Sequence, residues 1–188
     1  MKKKLLHIVD MQNDFVLANG KLPVTGAESL IKPANEFVNT VHFDKTIATF
    51  DTHYRKTYKK TEESKMFPPH CLFGTKGWEL AIQIDKYDMV TKILKQQFDV
   101  WENIYIQGID FVMSYSKITP RNTQVYIMGV ASDFCVKYAI KGYLDRGYHV
   151  SVLQDLCCGI NKQIDEVVKE FDTKKLNLIT SKQMQNQR

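Results

Sequence analysis

The amino-acid sequence predicts one α/β domain in which helices cover both faces of a single parallel sheet. Three observations support this prediction. The chain has 188 residues, which is close to the length of one typical domain. It contains six short apolar runs without polar alternation, the pattern of strands that are buried on both faces. Segments with helical spacing lie between these runs, and alternating strands and helices favour a parallel sheet.

The elements follow one another in a regular order along the chain. The predicted strands cover residues 5–9, 46–50, 89–94, 125–130, 150–153 and 176–179. Apolar residues with a helical period predict helices over residues 27–41, 133–146 and 160–171. Residues 51–76 form a long irregular connection, and a connection of that length is typically functional or disordered. Because no repeat, linker or low-complexity tract interrupts the pattern, residues 1–188 are predicted to form a single domain.

Composition and charge exclude several classes of protein. A hydrophobic content of 44% excludes a disordered chain. The net charge of +5 is spread along the chain apart from Lys2-Lys3-Lys4 and residues 55–60, whereas nucleic-acid-binding domains more often concentrate their charge in one stripe. The charge distribution therefore predicts no nucleic-acid partner. No stretch of 18 apolar residues occurs, so the sequence predicts no membrane span. The N-terminus is typical of a first strand rather than of a signal peptide.

The cysteines are too few and too irregularly spaced to predict a disulfide framework. There are four of them, namely Cys71, Cys135, Cys157 and Cys158. The sequence therefore predicts reduced thiols and a cytoplasmic location.

The predicted fold indicates where a ligand binds, because open α/β sheets bind ligands beyond the carboxyl ends of their strands. The positions directly after the predicted strands are Asp10, Asp51, Lys95, residues 129–135 and Asp155. Four of these five places carry an ionisable side chain, and the fifth leads to a cysteine.

Cys135 is the candidate nucleophile. It follows a strand and a turn of small residues at a predicted helix start, where the helix dipole favours a thiolate and free backbone N–H groups can hold an oxyanion. Asp10 could accept the thiol proton, and Lys95 could stabilise the thiolate. The alternatives are a buried apolar cysteine, a turn-capping Asp10 and a solvated Lys95. The other three cysteines lack such a setting and are predicted to be structural.

A second group of residues has the chemistry of metal ligands. Asp51 and His53 are two residues apart, which places both side chains on one face of an extended chain. Glu63 and His70 lie further along the same connection. Histidine and carboxylate ligands suit Zn²⁺, Mn²⁺ or Fe²⁺, although an ordinary polar loop is the alternative. The spacing does not decide whether Glu62 or Glu63 points inward.

Five segments together resemble a known family. They are residues 8–15 with D-x-Q-N-D-F, 22–27, 50–53 with D-x-H, 68–75 with P-P-H-C-x-x-G-T, and 129–136 with G-V-A-S-D-F-C-V. In this order and spread they resemble the isochorismatase-like cysteine hydrolases, and most closely the nicotinamidase/pyrazinamidase branch.

The resemblance implies a fold and an activity. The fold would be a three-layer α/β/α sandwich with a central, mainly parallel six-stranded sheet, often assembled as a homo-oligomer. The activity would be hydrolysis of nicotinamide to nicotinate and ammonia in pyridine nucleotide biosynthesis, through a cysteine thioester and with a divalent metal, Zn before Mn or Fe. Alternatives are hydrolysis of another small amide or carbamoyl compound, and a non-enzymatic binding subunit on the same fold.

The resemblance also implies roles for individual residues. Asp10, Lys95 and Cys135 would form the catalytic triad, and the metal ligands would be Asp51, His53, Glu63 and His70. The Val130–Ala131 peptide would be cis, and the N–H groups of Ala131 and Cys135 would form the oxyanion hole. Phe15 and Phe67 would flank the substrate ring. The stretch after Lys95 is shorter than in typical nicotinamidases, and its predicted contributions to the pocket wall are Phe98 or Trp101. Lys92 is the alternative to Lys95, although its position inside the strand favours an outward-facing charge.

Overall fold

The computed structural model describes residues 2–102 and 108–186. Six strands form one sheet in the order β3-β2-β1-β4-β5-β6, and every neighbouring pair is parallel. The strands are β1 (Lys3–Val9), β2 (Lys45–Asp51), β3 (Thr91–Lys95), β4 (Thr123–Val130), β5 (His149–Cys158) and β6 (Leu176–Ile179). The predicted number of strands and their parallel arrangement are confirmed.

Helices pack on both faces of this sheet. They are α1 (Asn13–Val16), α2 (Ile31–Thr40), α3 (Ile109–Tyr115), α4 (Lys137–Asp145), α5 (Ile164–Val167) and α6 (Ser181–Gln185). One apolar core holds the buried residues of α2 and α6, and a second holds those of α3, α4 and α5. Alternate residues of β1 enter the two cores: Leu6 and Ile8 the first, Leu5 and Val9 the second. The three-layer α/β/α sandwich is therefore confirmed.

Most strand boundaries differ from the prediction, and two of the differences have an identifiable cause. β3 begins at Thr91 rather than at residue 89, because Tyr87–Met89 form a 3-10 turn that leaves Met89 exposed. β5 continues to Cys158 instead of ending at residue 153, because the register between the two strands shifts: extra residues in β5 separate Val152, which pairs with Ile127, from Cys157, which pairs with Gly129. Asp155 thus lies inside a strand rather than after one, and its carboxylate accepts hydrogen bonds from the backbone N–H and hydroxyl of Ser181.

The helices are shorter and more broken than their apolar periodicity indicates. The first predicted helix is a 3-10 turn, Ala27–Leu30, followed by α2. The second is a wide π-type turn, Ser132–Val136, followed by α4, and the third is α5 continued by the 3-10 turn Val168–Glu170. The prediction missed α1, α3 and α6 altogether.

The topology determines where the site lies. β1 is flanked by β2 on one side and by β4 on the other, so the strand order reverses there and opens a crevice at the carboxyl ends. Gly129 permits the close approach of β4 to β1: its φ is 130°, and a Cβ at this position would lie 2.0 Å from the Val9 carbonyl oxygen. In the described ranges 2–102 and 108–186 no helix is both long and apolar enough to cross a bilayer.

Candidate active site and metal cluster

Three strand ends bring Asp10, Lys95 and Cys135 together. The Lys95 Nζ lies 2.8 Å from Asp10 Oδ2 and 3.3 Å from Cys135 Sγ. Asp10 follows β1, Lys95 ends β3, and Cys135 lies in the wide turn after β4. Since β2 separates β3 from β1, only a long side chain at the end of β3 can reach Asp10, and the lysine does so over the end of β2, 3.8 Å from Asp51 Oδ1.

Burial and the neighbouring charges together shift the pKa values of these three groups. It raises the pKa of Asp10, although the Lys95 cation opposes the shift. Burial also raises the pKa of the Cys135 thiol well above its ordinary value, again opposed by Lys95 and reinforced by Asp10. For Lys95, burial favours the neutral amine, but Asp10, Cys135 and Asp51 outweigh it and raise the pKa well above the usual value. The resting site therefore holds a charged lysine and a protonated thiol.

A cluster of four buried side chains lies beside Asp10, Lys95 and Cys135. One ligand atom from each of Asp51, His53, Glu63 and His70 lies within 4.8 Å of the others. His53 Nε2 is 3.0 Å from Asp51 Oδ2 and 3.1 Å from Glu63 Oε2. His70 Nε2 is 3.0 Å and 3.5 Å from the same two oxygens. Each nitrogen thus faces two carboxylate oxygens.

Hydrogen bonding within the cluster leaves buried carboxylate oxygens without a donor, as expected of oxygens that bind a metal ion. His70 Nδ1 lies 2.8 Å from the Pro68 carbonyl, so this nitrogen donates, and a neutral ring then presents a lone pair at Nε2 to the carboxylates. Oδ1 of Asp51 and Oε1 of Glu63 are buried without a hydrogen-bond partner, and Oδ2 of Asp51 faces the two histidine nitrogens. Zinc–ligand bonds of about 2.0–2.1 Å place neighbouring ligands of a tetrahedral site about 3.3 Å apart, close to the four separations given above. The cluster is suited to a divalent metal.

The structure distinguishes the paired alternatives left open by spacing. Glu63 is buried in the cluster, whereas Glu62 is exposed and pairs with Lys65 at 2.6 Å. Lys95 is buried beside Asp10, whereas the Lys92 ammonium lies over the Tyr87 ring at 4.0 Å on the outside.

A single cavity connects the thiol with the metal cluster. Its walls are mostly apolar. The lining residues are Phe15, Leu22, Val24, Asp51, Glu63, Phe67, His70, Phe98, Val130, Ala131, Phe134, Cys135 and Ile160. Phe15 packs against the His70 ring with centroids 5.3 Å apart, and Phe67, Phe98 and Phe134 contact one another. The Val130–Ala131 peptide is cis.

Most of the predicted pocket residues reach this cavity, but Trp101 does not. Its ring packs edge-on against Tyr143 and beneath the Arg146 guanidinium, on the α4 side of the molecule. Phe134 replaces it as an aromatic wall that the sequence reasoning missed, along with Leu22, Val24 and Ile160. No periodic signal could identify Phe134, because its non-helical backbone (φ −124°, ψ −106°) sets its direction.

All four cysteines are free and buried. The backbone N–H of Cys71 donates to Asp14 Oδ2 at 2.8 Å, which connects the segment carrying His70 to α1. Cys157 and Cys158 end β5, where the thiol of Cys158 donates to the Thr25 carbonyl. The thiol of Cys135 lies 3.3 Å from the Lys95 ammonium, which donates to it.

Comparisons with known proteins agree with this geometry. The isochorismatase domain family matches residues 4–183. The nicotinamidase of Saccharomyces cerevisiae is 27% identical over 94% of this chain and 99% of its own length. The nicotinamidase/pyrazinamidase of Mycobacterium tuberculosis is 26% identical over 95% and 99%.

Solved structures show the same fold. The pyrazinamidase of Pyrococcus horikoshii in complex with zinc superposes with a TM-score of 0.77 at 23% identity, covering 95% of this chain and 99% of that one. PnC1 from L. infantum in complex with nicotinate has a TM-score of 0.80 at 25% identity, with 96% and 94% covered. The family match spans nearly the whole chain and includes both clusters of the site. The chain belongs to the isochorismatase domain family.

Proposed function

We propose that this protein is a metal-dependent amidohydrolase that converts nicotinamide to nicotinate and ammonia through a thioester on Cys135. One observation carries the proposal: a single aromatic cavity is lined both by Cys135 and by the metal-cluster residues Asp51, Glu63 and His70. A flat heteroaromatic amide can therefore present its ring to one end of the cavity and its carboxamide to the other. The nicotinamidases among the relatives support the same substrate.

The chain's own residues account for the proton and bond changes. Asp10 takes the thiol proton as Cys135 Sγ bonds to the carboxamide carbon. A carboxylate whose pKa is raised by burial is a stronger base for this transfer, and the Lys95 cation 3.3 Å from Sγ stabilises the thiolate. Protonated Asp10 then gives its proton to the departing nitrogen, ammonia leaves, and the acyl group remains on sulfur. Water hydrolyses the thioester to the carboxylic acid and restores the thiol.

The cavity walls orient the substrate and exclude water. The backbone N–H groups of Ala131 and Cys135 are proposed to stabilise the oxyanion, where one donor typically contributes about 10²–10³ in rate. Phe15, Phe67 and Phe98 are proposed to hold the ring against the walls. When bound by Asp51, His53, Glu63 and His70, a divalent metal supplies a Lewis-acid position for the ring nitrogen.

We further propose zinc as the metal, with manganese or iron as alternatives. The two histidines and two carboxylates suit zinc, and the Pyrococcus horikoshii pyrazinamidase was solved with zinc. Four free cysteines support a reducing, cytoplasmic compartment, and the activity belongs to pyridine nucleotide biosynthesis. Assembly into a homo-oligomer stays a prediction from the family resemblance, and light scattering of the purified protein tests it.

The test is a coupled assay of ammonia release from nicotinamide, run with chelator and with re-added zinc. Cys135→Ala is expected to abolish release. Cys157→Ala is the matched control, because both cysteines are 7% exposed but only Cys135 adjoins Lys95. Cys157→Ala is expected to retain activity at the wild-type level.

Three results would redirect the proposal. An active Cys135→Ala variant would show that the thiol is not the nucleophile. If a panel of small amides and carbamoyl compounds were hydrolysed while nicotinamide was not, the triad assignment would stand and the substrate would change. A Cys135 that resists alkylation at neutral pH, together with no turnover of any panel member, would favour a binding subunit instead.

A further inference from the structure

Gln12 is fully buried two residues after Asp10, in the loop that leaves β1. Its side-chain oxygen accepts the backbone N–H of Asp51 at 2.8 Å. Its amide nitrogen donates to the Asp51 carbonyl at 2.9 Å and to the Trp78 carbonyl at 2.9 Å. Both amide protons are used, and the amide orientation is unambiguous because two carbonyls face the nitrogen.

The side chain of Gln12 takes the place of backbone hydrogen bonds that β1 does not make to the end of β2. β1 pairs with β2 as far as Val9 and Thr49, and the chain then turns away at Asp10 with a φ of 48°. The last residue of β2, Asp51, is therefore left without a backbone partner on the β1 side. The carboxamide of Gln12 contacts both the N–H and the C=O of Asp51, as a peptide group of a neighbouring strand would do.

The residue held in this way belongs to both parts of the site. Asp51 provides the oxygen that both cluster histidines approach at 3.0 Å, and its other oxygen lies 3.8 Å from the Lys95 Nζ. The backbone N–H of Gln12 also donates to the Asp10 carbonyl at 2.7 Å. The loop after β1 thus carries the proposed proton acceptor, Asp10, and also hydrogen-bonds through Gln12 to the backbone of Asp51 in the metal cluster.

We infer that Gln12 is a positioning residue that holds Asp51 in the geometry required for metal binding and sets its distance from the triad. The inference rests on the metal site of the proposed function and adds to it a residue that touches neither metal nor substrate. Groups that orient metal ligands typically contribute 10–100-fold in metal affinity. Metal binding must in turn stabilise the contact between Gln12 and Asp51, since coupling between two sites is reciprocal.

The first test measures zinc affinity by competition with a chromophoric chelator. Gln12→Met keeps the length of the side chain and removes all three hydrogen bonds, and Gln12→Asn keeps the amide but shortens its reach. Both are expected to weaken zinc binding about 10–100-fold. The matched control is Asn13→Ala, which removes a bond of 2.7 Å to the Lys76 carbonyl from the same loop without touching Asp51. Its zinc affinity is expected to stay within about twofold of wild type.

A residue with a purely structural role would behave differently. In that case the Gln12 variants would lose thermal stability equally with and without zinc and would bind zinc as tightly as wild type, which would overturn the inference. An equal loss of affinity in Asn13→Ala would overturn it too. If the wild type bound no divalent metal, the metal part of the proposed function would fail instead, and the ammonia assay reports on that function separately.

A measurement on the wild type removes the dependence on folded variants. The Asp51 amide donates directly to Gln12, so its hydrogen-exchange rate reports on this contact. Zinc is expected to slow the exchange of the Asp51 amide by at least the order of magnitude lost in the variants. Identical exchange rates with and without zinc would overturn the inference.

Discussion

The Lys95–Asp10 ion pair offers a quantitative test of how burial changes the contribution of an ion pair to the free energy of unfolding. The Lys95 Nζ and Asp10 Oδ2 are 2.8 Å apart, and the two side chains are 1% and 0% exposed. Lys95→Met keeps the length of the side chain but leaves a buried carboxylate without its cation. Breaking a buried pair in this way costs about 3–5 kcal/mol. At an m-value of about 2 kcal/mol/M, the urea midpoint should fall by about 1.5–2.5 M.

The companion variants separate pairing from packing. Asp10→Asn should cost less, because the Asp51 carboxylate remains 3.8 Å from Lys95. The double variant Asp10→Asn/Lys95→Met removes both charges together, so it should cost less than the sum of the single changes, with a coupling of about 1–3 kcal/mol. Unfolding is followed by far-UV circular dichroism in urea at a fixed concentration of free zinc.

An exposed ion pair with a similar separation is the control. Lys141 and Asp145 are 2.6 Å apart with side chains 60% and 56% exposed, one turn apart on α4. Lys141→Met should leave the urea midpoint unchanged within error, because solvent screens such pairs. Equal midpoint shifts for Lys95→Met and Lys141→Met would refute the reasoning, and so would simple additivity in the double variant.

Three further predictions follow from contacts in and around the site. Phe98→Ala should raise the KM for nicotinamide about tenfold, because it removes a cavity wall. Trp101→Phe should lower the free energy of unfolding and leave KM unchanged, because Trp101 packs on Tyr143 outside the cavity. Steady-state kinetics and urea unfolding of both variants test these expectations. Gly77→Ala should destabilise the fold by about 1–3 kcal/mol, since its Cβ would lie 2.3 Å from the Asp14 carboxylate that accepts the Cys71 N–H; a wild-type urea midpoint would contradict this. Chelation should lower the thermal midpoint, and zinc at 100 times its Kd should restore about 2.7 kcal/mol in calorimetry, whereas Mg²⁺ at the same concentration should not.

The sequence was sufficient for those parts of the fold that depend on local apolar patterns. Continuous apolar runs located all six strands, and strand ends located Asp10, Asp51 and Lys95, because both follow from the burial of a parallel sheet. The predicted end of β5 was wrong because the exposed Gln154 and Asp155 interrupt its apolar run, while the later pairing of Cys157 and Cys158 depends on a shift in the register between β4 and β5. Such a shift has no signature in a single strand.

Helix α3 shows a second limit of pattern reasoning. Its buried residues Ile109, Val112 and Met113 have helical spacing, but Phe111 and Tyr115 on the opposite side are exposed and aromatic. Because apolar residues lie on the exposed side of α3 as well as on its buried side, no single apolar face stands out and periodicity does not identify the helix. The wrong prediction for Trp101 has a related cause. An aromatic residue near the site in sequence can line the cavity or pack in the core, and the packing of α4 determines which of the two it does.

Gln12 shows why the cavity and the support of the site exceed what spacing can predict. A glutamine after a strand carries no charge and no metal-ligand chemistry, so nothing in its residue type predicts that it completes the hydrogen bonding of Asp51, 39 positions away. Gln12 is needed because Asp51 has no backbone partner on the β1 side. This lack becomes visible only when β1 and β2 are aligned and β1 is seen to end first. Residues that react can be recognised by their chemistry, whereas residues that position them are recognised by the polar groups that would otherwise be left buried and unpaired.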